Sequence, residues 1–168
     1  DIEAFQPLGV PDLIEKVAGI SVVKQGDAGQ QSSVFTRGTN NGHTLILIDG
    51  VRISSATLGS TAFGSISVAQ IERIEVVKGP RAALWGADAI GGVIQIFTKR
   101  LQAGEAILSA GFGSNGLKKA DVSVGLGNDN HSLTLSVATQ ESDGFSATDY
   151  IGQEDDDAYD RLSFAVTG

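Results

Sequence analysis

The chain has 168 residues with no cysteine and no methionine, and a formal charge of −8. It therefore has neither a disulfide framework nor a cysteine-ligated zinc site, and nucleic acid is a poor partner because phosphate contacts need a basic face. No apolar run approaches the ~20 residues of a membrane-spanning helix, and the lack of a methionine even at position 1 leads us to expect a segment of a longer chain.

Residues 1–100 balance nine Lys/Arg against nine Asp/Glu, whereas residues 101–168 hold three against eleven. All of the excess charge thus lies beyond position 100, and that step is the expected domain boundary. In the first part, "VPDLIEKVAG" places Leu13, Ile14 and Val17 on one face of a short helix. Pro11 and Asp12 sit at its start and Gly19 at its end, where each is favoured. Short apolar runs follow at 20–24, 34–37, 45–48, 51–53, 74–78 and 93–98. Asp49-Gly50 between two of them is a strong hairpin signal, because both turn positions need positive φ. Ser67 can cap a helical turn running to Ile71. These elements describe a small α+β domain.

The second part has a period of two. Ala106, Leu108, Ala110 and Phe112 alternate with Glu105, Ser109, Gly111 and Gly113; Ala120, Val122, Val124 and Leu126 with Lys119, Asp121, Ser123 and Gly125. Leu133, Leu135 and Val137 then alternate with Ser132, Thr134, Ser136 and Gln140, and Leu162, Phe164 and Val166 with Arg161, Ser163 and Thr167. A soluble sandwich also alternates, but its apolar face is bulky and β-branched. Here a thin aliphatic face opposes small polar groups and glycine, which suits a membrane barrel with a wet lumen. The connections "GSNGLK" and "GNDN" are short and 141–160 is long, the asymmetry of such barrels.

"GFGSNG" at 111–116 fits G-x-G-x-x-G, but a strand rather than a helix follows it, so a hairpin turn is expected instead of a dinucleotide site. His43 and His131 each lie far in sequence from a plausible catalytic partner. In "IERIEVVKGPR", Glu72 is expected at a helical end and Glu75 in a strand, on different faces. Glu75, flanked by Arg73, Lys78 and Arg81, fits a structural ion pair better than acid–base chemistry. No constellation points to an enzyme. The loop from Gln140 to Asp160 carries eight acids and no base, with Gln153, Asp155 and Asp157 two apart. Clustered oxygens of that kind suit Ca²⁺, which takes roughly six to eight of them.

Taken together, "SSVFTRGTNNGHTLILIDGVR" and "IERIEVVKGPRAALWGADAIGGVIQIFTK" resemble the plug domain of TonB-dependent outer-membrane receptors, and within that family the receptors for cobalamin (vitamin B12). The resemblance implies an α+β plug domain over residues 1–100, followed over 101–168 by the first four or so antiparallel strands of a transmembrane β-barrel. In the family the plug fills a barrel of about 22 strands, ligand binds from outside, and an upstream box contacts TonB, which transmits the proton-motive force. Carried over by position, cobalamin contacts fall on Gln31, Ser33 and Asn40 at a first apex and on Leu58 and Gly59 at a second. Gln31 replaces an apolar residue of the cobalamin receptors and Gly59 a serine. The calcium ligands of that group correspond to Gln153, Asp155 and Asp157, with Ser146 in place of an upstream aspartate and Asp149 as a substitute. In the family, basic residues of the RG and RGP motifs latch the plug to barrel carboxylates; the resemblance implies that role for Arg37 and Lys78, with Glu75 alongside. Lys78 replaces the usual arginine, so the charge is kept and the bidentate geometry lost. The implied protein is an outer-membrane transporter for cobalamin or a related corrinoid, with lipid, TonB and the nutrient as partners. A ferric-siderophore receptor is the alternative within the class, and a soluble β-rich binding or adhesion module the alternative outside it.

Overall fold

The computed structural model describes residues 7, 9–24, 32–53, 61, 63, 66–79, 82–86, 89–128, 131–143 and 158–168. They fall into two compact units, one ending at Thr98 and the other starting at Lys99.

The first unit opens with helix α1 (Val10–Glu15). The Asp12 carboxylate accepts the Gly9 N–H at 3.0 Å, satisfying a donor that the first helical turn leaves free. Val10 and Ile14 are fully buried, and Leu13 and Val17 pack beside them, which is the predicted apolar face extended by one turn. Gly19, at φ 81°, reverses the chain into β1 (Ile20–Lys24), which pairs antiparallel with β2 (Ser32–Thr36). Lys24 closes an ion pair with Asp12, tying strand to helix.

The remaining strands form one sheet in the order β4 (Val51–Arg52), β3 (Thr44–Ile48), β6 (Gly92–Thr98), β5 (Ile71–Lys78). β3 and β6 are central and parallel, and their sequences TLILI and GVIQIFT are mostly buried on both faces. Ile94 and Ile96 are 0% exposed, and burial of each contributes roughly 1.5–3 kcal/mol. The Asp49-Gly50 hairpin forms as predicted, with φ of 46° and 84°. Its carboxylate does a second job, accepting the Thr98 N–H at 3.1 Å and the Thr98 hydroxyl at 2.6 Å, which pins the turn to β6. Ser67 precedes a 3-10 turn (Val68–Gln70) as expected, but the cap is its carbonyl, 3.1 Å from the Gln70 N–H, and not its hydroxyl.

The second unit is an antiparallel meander of β7 (Ala106–Phe112), β8 (Lys118–Asn128), β9 (His131–Ser142) and β10 (Tyr159–Thr167). The glycine motif is the β7–β8 turn, with Asn115 at φ 54° and Gly116 at φ 65°. Burial in this sheet is inverted relative to a water-soluble fold. Ser123, Thr134, Ser136, Gln140 and Ser163 are buried, while Leu108 is 77% and Phe164 71% exposed. Ser109 bonds Asp121, Ser123 meets Ser136 at 2.8 Å, and Thr134 accepts the Leu101 N–H at 2.8 Å, so the small polar face satisfies much of its own hydrogen bonding. The apolar side chains line up in four cross-strand rows, centred on Leu108–Val122–Val137–Phe164. From Leu126 to Ala120 these rows span about 20 Å at ~3.4 Å per residue, close to the ~25 Å apolar band of a membrane barrel. A charged row, Lys118–Glu141–Asp160 beside Phe112, ends the band. Among the described residues no helix is long and apolar enough to cross a membrane; here the strands have the pattern that crosses one.

Candidate functional site

One end of the plug sheet is built from glycines and threonines. Arg37 (φ 51°) and Gly38 (φ 77°) form a left-handed turn closed by Thr39 N–H on Thr36 carbonyl at 3.1 Å. Beneath it, the hydroxyls of Thr36 and Thr44 share a buried hydrogen bond of 2.9 Å. Gly91 donates to the His43 carbonyl at 2.8 Å, and its carbonyl accepts from Gly79 at 3.1 Å. A Cβ on Gly91 would lie 2.5 Å from Thr39 Oγ1, and one on Gly92 2.6 Å from the Val77 carbonyl. The GG pair is therefore what lets the RG turn, β5 and β6 close on one another.

Both basic residues assigned to the latch come to this end and grip the same turn. The Lys78 ammonium donates to the Ala18 carbonyl, 60 residues away in sequence. Arg37 N–H donates to the Gly19 carbonyl at 2.9 Å, and its side-chain stem lies against Gly19 while the residue stays exposed. Within the plug, the Lys78 ammonium and the Arg37 backbone N–H brace the reversal between α1 and β1. We expect Lys78→Glu to free that reversal, raising amide hydrogen exchange over 17–24 about tenfold, as loss of a charge-assisted bond would. Unchanged exchange there would count against the brace.

Glu75 lies elsewhere. It projects from the face of β5 opposite to Ile74 and Val76, which pack on the core, and so opposite to Lys78 as well. Its partner is Arg73, whose Nε donates to Glu75 at 2.8 Å while Nη1 donates to Glu72 at 3.0 Å. The guanidinium also stacks 3.8 Å from the Phe97 ring centroid. The hydrogen bond to Glu75 is the main reason the Arg73 pKa is raised, with Glu72 adding to it. This corrects the expectation for Glu72: it lies in the strand and not at a helical end. A bulge between Ile71 and Arg73 turns both carboxylates onto one arginine. All three side chains are about half exposed, so water and salt screen both pairs and each adds little to stability. The arrangement is an ion-pair clamp with no group poised for proton transfer.

Of the expected ligand contacts, Ser33 lies half-buried on β2 opposite Val23, and Asn40 is exposed just after the RG turn. Gln31, Leu58 and Gly59 lie outside the described residues, as do the calcium candidates Gln153, Asp155 and Asp157. The Arg73–Phe97 stack was not expected. Its only trace in sequence is the alternation that points both residues to the same face once β5 and β6 pair.

Known proteins align with this chain along its whole length. The family model described as TonB-dependent Receptor Plug Domain matches residues 1–93. The chain is 42% identical over 163 residues to the "Vitamin B12 transporter BtuB" of Photobacterium profundum, covering 95% of this chain and 26% of that protein. It is 41% identical over 169 residues to the protein of the same name from Vibrio vulnificus, covering 100% and 25%. It thus spans about a quarter of these relatives' length. Among solved structures, "Copper transporter OprC" superposes with a TM-score of 0.68 over 82% of this chain and 22% of that one, at 24% identity, a likeness of fold. The glycine-closed plug sheet, the meander with its apolar face outward and the matched residues 1–93 agree: this chain belongs to the TonB-dependent receptor plug-domain family.

Proposed function

We propose that the chain is the plug and opening barrel strands of an active transporter that takes up cobalamin or a related corrinoid across the outer membrane, driven through TonB. The observation that carries the reading is identity of 41–42% to two vitamin B12 transporters over nearly the whole chain, including barrel strands as well as plug. The exposed apolar face of the second sheet supports the membrane setting. Ser33 and Asn40, with Gln31, Leu58 and Gly59, are the proposed plug contacts to the ligand. Ca²⁺ held by Gln153, Asp155 and Asp157 is proposed to order the acidic loop.

The test is calorimetric titration of cyanocobalamin into the complete reading frame, folded in detergent, with and without Ca²⁺. Tight binding that weakens at least tenfold on chelation is expected, since oxygen ligands left without their cation repel one another. Binding indifferent to chelation would remove the calcium site and keep the corrinoid. No binding in either condition would remove the corrinoid, and ferric siderophores would be titrated next.

A further inference from the structure

Residues 101–168 contain three basic residues among eleven acids. Two of the three, Lys119 and Arg161, stand on one cross-strand row of the polar face, separated only by Gln140. The third, Lys118, faces the apolar side at the charged boundary row. In a segment so acidic, two cations on one inward row call for a reason.

The row reads Gly111, Lys119, Gln140, Arg161 across β7 to β10. Gly111 has no side chain where a Cβ would meet Lys119 Cε at 2.6 Å, so the lysine stem has room to lie over it. Lys119 is exposed, and its ammonium makes no hydrogen bond or ion pair among the described residues. Gln140 is 6% exposed, and its side-chain oxygen accepts from Arg161 Nη2 at 3.2 Å, which turns the guanidinium toward the lysine's strand. Tyr159 stands two residues before Arg161 on the same face. Asp121, an acid on this face, is one row deeper and engaged by Ser109. Lys119 and Arg161 lie two strand spacings apart, about 10 Å, within reach of both long side chains for a single tetrahedral anion. The row is near the end of the sheet that carries the long 143–158 connection, which is the outer end of such a barrel.

The geometry points to an anion subsite on the inner barrel wall, in which Lys119 and Arg161 clasp a phosphodiester of the incoming ligand above Gln140. Arg161 supplies directional donors, and Lys119 supplies a mobile point charge. This deepens the corrinoid reading and rests on it: the nucleotide loop of cobalamin carries one phosphodiester, and cobinamide, which lacks the loop, carries none.

The experiment compares cyanocobalamin with dicyanocobinamide on the complete receptor in detergent, as wild type, Lys119→Gln, Arg161→Gln and Arg161→Lys. Each glutamine variant is expected to bind cyanocobalamin about tenfold more weakly, the usual effect of losing one charged hydrogen-bond partner. Dicyanocobinamide affinity is expected to stay unchanged, and Arg161→Lys to recover part of the loss. Unchanged cyanocobalamin affinity in both glutamine variants would overturn the subsite while leaving the transporter reading intact. Equal weakening of both corrinoids would overturn it too, by showing a structural role. Wild type that binds neither corrinoid would overturn the reading beneath it. Lys119 is exposed, so its variant keeps the test alive should Arg161→Gln fail to fold.

Discussion

Gly92→Ala is expected to open the plug sheet at its glycine end, accelerating amide exchange along β5 and β6 about a hundredfold. Two penalties act together. The φ of Gly92 is +156°, which L side chains rarely adopt, and a Cβ there would stand 2.6 Å from the Val77 carbonyl, with Lys78 Cα and Thr36 Cγ2 at 3.4 and 3.6 Å. The close neighbours are backbone and a fully buried threonine, so neither can yield without moving a strand. Backbone strain and overpacking each cost ~1–3 kcal/mol, and a sum near 3 kcal/mol corresponds to about two powers of ten in the opening equilibrium. Hydrogen exchange by mass spectrometry on the complete receptor reads this directly. Exchange equal to wild type over 71–78 and 92–98 would show that the close approach does not hold the sheet.

Val122→Arg is expected to lower folding stability in lipid vesicles by about 2–4 kcal/mol, the cost of an arginine at the bilayer midplane. Val122 sits in the central apolar row between Leu108 and Val137. The control is Glu141→Arg, on the boundary row beside Lys118 and Asp160, where the cost falls to ~0–1 kcal/mol. Urea titration of vesicle-folded receptor separates the two. On a face turned to water, Val122, already 45% exposed, would accept arginine at almost no cost. Equal stabilities for the two variants would therefore sink the membrane assignment of this sheet.

Much of the fold was legible in the sequence because its signals are local. A period of two puts alternate side chains on opposite faces whatever the partner strand, so the apolar and polar faces of 105–167 were readable before any pairing was known. Asp49-Gly50 and Asn115-Gly116 specify their hairpins through φ alone. The face of α1 follows from Leu13, Ile14 and Val17, and the structure extends it to Val10, buried at the start of the helix.

What was not legible depends on closure between distant segments. The sheet order β4-β3-β6-β5 sets Thr44 against Gly92 in a parallel pair, and nothing local to either residue names the other. The latch shows the same limit. Arg73, Lys78 and Arg81 all flank Glu75 in sequence, but Lys78 is three residues along the strand, an odd step that sends it to the opposite face, whereas Arg73 shares the face of Glu75. One bulge then gave Glu75 and Glu72 to Arg73, and the packing of α1 gave Lys78 to Ala18.

The sequence by itself determined the family, the two-part organisation of strands and turns, and which face of the later strands is apolar, because motifs and periodicity are properties of neighbouring residues. Only the tertiary structure decided which carboxylate meets which base, how the glycines at 91 and 92 let three strands converge, and that Lys119 and Arg161 share a row. Those outcomes depend on strand register and close approach, which are set when residues tens of positions apart pack together.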